Sequence, residues 1–284
     1  MGDGEYWITI EFKPVGQPGD LGDSSYLVSG SSTMEPAINF TLGGNLSVHL
    51  KFAGNSSDEA ELVAQQRMCS ILSPSRYRFV GIKSAPATNN PLGGTFGQAE
   101  FRLAAERLVS RRSAAGRLVG IVVFCDIVGS TRLILELGDQ PWKELLEQFR
   151  TRVRAIVANH GGRELKTTGD GFLLYWPGPN ATPAMEAMLQ ARTRARTLGI
   201  ELRIGAHWGE FQPITDDVAG IEIHIAARVI GQAGEGQLLV TGSVLDLIDS
   251  QRFRIGARKD FKLRDVIPER WYLTELLGLS QQRQ

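Results

Sequence analysis

Leu118–Cys125 is an unbroken apolar run of eight residues that ends on a carboxylate, Asp126. A run this short and this apolar reads as a strand in the interior of a sheet. The residues after it alternate between helix and strand. Trp142–Asn159 carries Trp142, Leu145, Leu146, Phe149, Val153, Ile156 and Val157 at helical spacing, and Gly161-Gly162 stops it. Thr182 with Pro183 pairs a cap with a first-turn proline and opens another helix. Helices are also expected at Ile221–Gly231 and Ser243–Ser250, and strands at Ile200–His207 and Gln237–Val240. Glu164–Thr167 and Phe172–Trp176 form a tight hairpin around Thr168-Gly169-Asp170-Gly171. A purely parallel sheet would lack such a hairpin. The pattern predicts a mixed-sheet α/β (α+β) fold of ferredoxin-like kind.

The stretch before this region has a different texture, rich in Gly, Ser, Asn and Pro. Tyr6–Phe12 alternates, with Ile8, Ile10 and Phe12 on one face. Ile38–Leu42 and Leu46–Phe52 flank Gly43-Gly44-Asn45, a hairpin signal. Ser57–Leu72 reads as a helix and Tyr77–Ile82 as a strand, followed by a loop, Ala85–Phe96. Residues 1–97 are therefore expected to form a small α+β domain without a catalytic constellation, His49 standing alone on its strand. Gln98–Arg112 is an amphipathic helix with Phe101, Ala104, Ala105, Leu108 and Val109 on one side. It is either a plain linker or a coupling element that packs against its copy in a dimer. Residues 98–116 connect to a second domain, 117–284.

Charge excludes some partners. Lys plus Arg and Asp plus Glu number 31 each, which leaves no basic footprint for nucleic acid or an anionic membrane. No apolar run approaches the roughly 20 residues of a membrane span. Cys69 and Cys125 lie far apart in sequence, in a helix and a strand, and read as buried free thiols. The N-terminus has no secretory pattern, and a cytoplasmic protein is expected.

Asp126 ends its strand beside the small-residue loop Ile127-Val128-Gly129-Ser130-Thr131. A carboxylate there can hold a metal, while loop amides and a helix N-terminus can hold phosphate oxygens. Ser130 and Thr131 serve equally well as helix caps. Asp170 sits at the tip of the hairpin, whose first strand is expected beside the Asp126 strand, and its flanking glycines let backbone approach a ligand. Two carboxylates at adjacent strand ends can bridge two Mg²⁺ about 3.5–4 Å apart, the arrangement of in-line phosphoryl displacement.

FCDIVGST at Phe124–Thr131, LKTTGDGF at Leu165–Phe172 and DVAGIEIHIAARV at Asp217–Val229 resemble, in order and spacing, the signature blocks of the class III adenylyl and guanylyl cyclases, bacterial members most of all. The resemblance spans roughly Leu118–Ile248. It implies that Asp126 and Asp170 hold two divalent cations, Mg²⁺ or Mn²⁺, with Ile127 in the metal set. Ile127, Val128, Gly129, Ser130 and Thr131 would line the substrate. Lys166 and Asp217 occupy the base-selecting positions, and a Lys donor with an Asp acceptor describes adenine, so ATP is the implied substrate. Arg228 would meet the phosphate charge of the transition state. Lys262 or Arg264, in KDFKLRD, would contact the terminal phosphates.

His224 stands where the family usually has a ribose-orienting asparagine; a histidine can still donate to a ribose oxygen. Its other reading is a structural, partner-facing residue. His207, in GAHWGE, is assigned no catalysis, and His160 a helix C-terminal place. The family splits metal and base contacts between two protomers, so a chain with both halves implies a homodimer with two identical sites. The region before a cyclase unit would be regulatory, for a ligand or a protein. Two other readings keep the fold: a decayed nucleotide-binding module, and a cyclase of another base, such as a pyrimidine.

Overall fold

The computed structural model describes residues 4–14, 37–40, 46–54, 56–71, 77–86, 98–113, 117–214, 217–264 and 270–280. The apolar run forms β5 (Leu118–Ile127). It is flanked by β7 (Gly171–Pro177) and β8 (Leu202–Ile214), both antiparallel to it. The other strands of this sheet are β6 (Arg163–Thr168), β9 (Asp217–Ala219), β10 (Leu238–Thr241), β11 (Phe253–Lys262) and β12 (Arg270–Leu279). Their order is β11-β12-β10-β8-β5-β7-β6, with β9 paired to β8. β8 and β10 run parallel and the remaining pairs antiparallel, the mixed sheet expected from the hairpin.

Each face of β5 enters a different core. Val119, Ile121, Val123, Cys125 and Ile127 pack with α4 (Asp139–Asn159) and α5 (Thr182–Arg196). Val122 and Phe124 turn the other way, joining Leu173, Tyr175 and Phe211 beneath α6 (Ile221–Ile230). Alternation therefore puts Asp126 on the α6 face.

The first hundred residues contribute a second, antiparallel sheet. Its strands are β1 (Gly4–Pro14), β2 (Ala37–Phe40), β3 (Leu46–Gly54) and β4 (Tyr77–Pro86), ordered β2-β3-β1-β4. α1 (Ser57–Ile71) lies across β4, β1 and β3. Ile8 and Ile10 of β1 are buried in the same core as Ala60, Ala64, Met68 and Ile71 of the helix. That core is continuous with the one around β5. α2 (Gln98–Ser113) joins them, with the Phe101 ring edge-on to Trp208 at 5.7 Å. Three side chains then converge on the end of α7 (Gly242–Leu247). Arg67 grips the Asp246 carboxylate at 2.7 and 2.9 Å, Gln98 donates to the Asp246 carbonyl at 2.9 Å, and Arg102 donates to the Asp246 and Ile248 carbonyls. Among the described residues no helix is long and apolar enough to cross a membrane.

Several expectations change. The second strand of the hairpin, not the first, lies beside β5, because β7 is buried on both faces whereas β6 is half exposed. Phe101, Ala104, Ala105 and Leu108 of α2 are buried in their own chain and Val109 is partly buried, so most of that face is occupied within the chain. α3 (Ser130–Leu137) starts on Gly129, and neither Ser130 nor Thr131 caps it through its side chain. α5 is capped by Ala181, while Thr182 Oγ1 accepts from the Asp249 amide. β8 runs seven residues past His207 to Ile214, β4 takes in Ala85 and Pro86, and α7 stops at Leu247. β11 and β12 were not expected as strands. Gly43–Asn45 and 87–97 lie outside the described residues.

Candidate active site

Asp126 is the penultimate residue of β5 and faces the start of β7. A Cβ placed on Gly171 would lie 2.4 Å from the Cys125 carbonyl oxygen and 3.0 Å from Asp126 Oδ1. The hairpin tip that carries Asp170 thus closes directly on Asp126, so the two acids come from adjoining strand ends as expected. Oδ2 of Asp170 is buried and accepts no hydrogen bond from the described residues. Arg150 of α4 donates to the neighbouring Gly169 carbonyl at 2.6 Å and steadies the tip. A Gly171→Ala protein should lose about 1–3 kcal/mol of stability, since strained overpacking at backbone costs that much. A melting curve unchanged from the parent would show that the two strand ends are not pressed together.

Asp126 already holds a cation. β5 and β8 place Arg203 opposite it, and Arg203 Nε donates to Asp126 Oδ2 at 2.9 Å, with Nη2 donating to the same oxygen. Nothing in the linear pattern pointed to Arg203, because its importance comes from cross-strand register. The adjacent loop is partly committed. The Val128 amide donates to the Glu201 carbonyl at 2.9 Å, while α3 begins at Ser130 without a side-chain cap. Its first amides have no intrahelical acceptor and can meet an anion. Ile127 is buried behind Asp126.

Lys166 and Asp217 meet, 51 residues apart, through a hydrogen-bonded ion pair of 2.6 Å. β8 carries on past Leu118, where β5 begins, and the β8–β9 pairing returns the chain so that Asp217 reaches β6. The Lys166 ammonium holds the Asp217 carboxyl below the usual carboxylate range, and the Val218 amide, donating to Oδ1 at 2.9 Å, adds to this. Both side chains are nearly half exposed, 46% and 43%, so the pair contributes little to folding and is open to exchange with a ligand. Lys166 pairs with Leu173 across the hairpin and so shares the α6 face with Asp126.

His224 and Arg228 lie one turn apart on the exposed side of α6, opposite the buried Ile225, Ala226 and Val229. Arg228 Nε donates to the Arg264 carbonyl at 3.0 Å, which ties α6 to the segment after β11. Lys262, the last residue of β11, is exposed. His160 caps α4, its Nδ1 2.8 Å from the Ile156 carbonyl. His207 is wholly buried, consistent with a structural place, and pairs with Glu222, a partner the sequence did not suggest.

Residues 118–275 match the adenylate and guanylate cyclase catalytic domain. The chain belongs to that family. An adenylate cyclase of Streptomyces coelicolor is 35% identical over 136 residues, covering 48% of this chain and 34% of that protein. An adenylate cyclase of Streptomyces griseus is 30% identical over 141 residues, covering 49% and 33%. The matched region thus spans about a third of the length of these relatives. Among solved structures, the adenylyl cyclase CyaB from P. aeruginosa superposes with a TM-score of 0.53 at 18% identity, covering 59% of this chain and 98% of that one. The guanylate cyclase domain of RhGC from Catenaria anguillulae, solved with GTP, superposes with a TM-score of 0.52 at 17% identity, covering 57% and 98%. These likenesses establish the cyclase fold for the large sheet.

Proposed function

We propose that the chain is an adenylyl cyclase that converts ATP to 3′,5′-cyclic AMP and pyrophosphate in a homodimer with two identical sites. The Lys166–Asp217 pair carries this reading. A Lys donor matches an adenine ring nitrogen, and an Asp acceptor matches its exocyclic amine. Guanine presents a carbonyl where adenine has that amine and requires the reverse polarity. Relatives named adenylate cyclase support the same choice.

Asp126, Asp170 and the Ile127 carbonyl would hold two divalent cations, Mg²⁺ or Mn²⁺. The donors fit: one Asp170 oxygen is buried without a hydrogen-bond partner among the described residues, and Asp126 is already paired with a cation, the Arg203 guanidinium. When bound, such cations acidify the ribose 3′-hydroxyl and neutralise the triphosphate. The chain's own groups do the positioning. The Ile127–Thr131 loop and the first amides of α3 would line the phosphates. Arg203, once released from Asp126, keeps a guanidinium at the edge of the same site. Arg228 would meet charge that grows on the departing pyrophosphate, His224 would donate to a ribose oxygen, and Lys262 would meet the terminal phosphates. Asp126 and Lys166 share the sheet face that α6 covers only in part, which leaves room for a second protomer. Residues 1–97, joined through 98–116 to the catalytic region 117–284, would be regulatory, for a ligand or a protein.

Full-length protein incubated with Mn²⁺ and each of the four nucleoside triphosphates should make cyclic AMP as its dominant product. Dominant cyclic CMP or cyclic UMP would replace adenine with a pyrimidine. ATP binding by calorimetry with no product from any nucleotide would make the chain a decayed binding module.

A further inference from the structure

The α6 face holds a buried ionisable pair to which the proposed chemistry gives no task. Glu222, in the first turn of α6, is 2% exposed, and His207, on β8, is 0% exposed. His207 Nε2 meets Glu222 Oε2 in a short hydrogen bond. Its Nδ1 lies 2.9 Å from Thr241 Oγ1 and 3.4 Å from Ser243 Oγ, and those two hydroxyls are 3.0 Å from each other. The Trp271 ring of β12 stands edge-on to the imidazole at 5.5 Å. One imidazole therefore ties α6 to β8, β10, β12 and the start of α7.

The surroundings show what this tie does. His207 projects between two glycines of β8 on the same face. A Cβ on Gly209 would lie 2.5 Å from Glu222 Cγ, and a Cβ on Gly205 would lie 2.3 Å from the Ile230 amide nitrogen. α6 is thus laid directly on the sheet at its first and last turns, with the Glu222–His207 bond between them. Close contact on glycine sets how deep the helix lies. It does not set how the helix is rotated about its axis, because apolar packing has no direction. A hydrogen bond to a fixed imidazole does.

Glu210 of β8, itself bonded to Arg117, acts on the pair from another position, while burial first and Glu222 second keep the Cys69 thiol of α1 in its neutral form. Burial pushes the Glu222 carboxyl upward, Glu210 adds to this, and His207 opposes it. Replacing a buried pair of this kind with apolar residues is commonly neutral or stabilising, so fold stability alone does not account for it.

We propose that Glu222 and His207 are positioning residues that fix the rotation of α6, so that His224 and Arg228 face the nucleotide. This rests on the cyclase reading of α6 given above. The test uses full-length Glu222→Gln, and the double variant His207→Leu with Glu222→Leu, which leaves Thr241 and Ser243 bonded to each other. Both should show kcat lowered about 10- to 100-fold, the penalty of a small misplacement of reacting groups. KM for ATP should stay near the parent value, as should Mn²⁺ affinity measured by electron paramagnetic resonance, because Lys166, Asp217, Asp126 and Asp170 lie off the helix. Amide exchange should quicken within Ile221–Ile230 and not in β5. The double variant should melt no lower than the parent and still not recover kcat. Parent kcat together with parent exchange in either variant overturns the proposal. If the parent makes no cyclic nucleotide at all, the cyclase reading fails alone; the exchange data then decide positioning, with unchanged α6 protection overturning it.

Discussion

Asp126→Asn and Asp170→Asn proteins should each fold like the parent and form cyclic nucleotide at least about 10²–10³-fold more slowly, the usual loss when one charge-stabilising group leaves a reaction centre. The substitution keeps size and shape and removes only the anion. Asp126 is the sharper case because two consequences follow from one atom. Its Oδ2 is the acceptor for both Arg203 nitrogens, so the amide variant releases Arg203 as well as weakening the cation site. Arg203 is itself half exposed, and losing an exposed pair should move the melting temperature little. Asp170 differs, because its buried oxygen has no hydrogen-bond partner among the described residues. An amide keeps a polar atom in that buried place and removes only the charge, so the Asp170→Asn protein should melt close to the parent temperature while losing turnover. Paired thermal melts and product assays check both. Turnover within a factor of a few of the parent in both variants would remove the two-cation reading.

Exchanging the charges of the base-selecting pair should move substrate preference further than any other change. In the combined Lys166→Glu and Asp217→Lys protein, the ion pair is preserved with its direction reversed, so folding should be unaffected. A base that finds a donor opposed to a donor leaves buried polar groups unmatched, and the ratio of kcat/KM for ATP over GTP should fall by about 10²–10⁴. Measuring that ratio in competition separates selection from general loss of activity. A ratio equal to the parent's would mean that the two side chains contact each other but never the base.

How much of this was legible in the residues depends on where the physical information sits. β5 announced itself through eight consecutive apolar residues, and the Asp170 turn through its glycines, because both signals are local. The arrangement of the hairpin was also written in the chain. FLLYWP of β7 is apolar on both faces and RELKTT of β6 is not, so only β7 suits an interior place. β11 escaped notice because its exposed residues, Arg254, Arg258, Lys259 and Asp260 among them, mask the strand pattern at a sheet edge. In the candidate site, the residues within recognisable blocks could be named in advance. Arg203, outside the blocks, could not, and neither could the part played by Glu222, although it lies inside the third block. Each acquires its partner through register or helix docking, Arg203 across 77 residues and Glu222 across 15, and no local pattern encodes those distances.

The clasp of Arg67, Gln98 and Arg102 on the end of α7, together with the unbroken apolar interior beneath it, makes the leading layer a wall of the catalytic unit instead of an attachment to it. Removing that wall would wet the Trp208 side of the sheet, so diminished turnover in a shortened chain would report a breached interior before it reported a lost input. The same continuity gives any input a direct route. Whatever shifts α1 or α2 bears, through the core they share, on the strand that ends in Asp126.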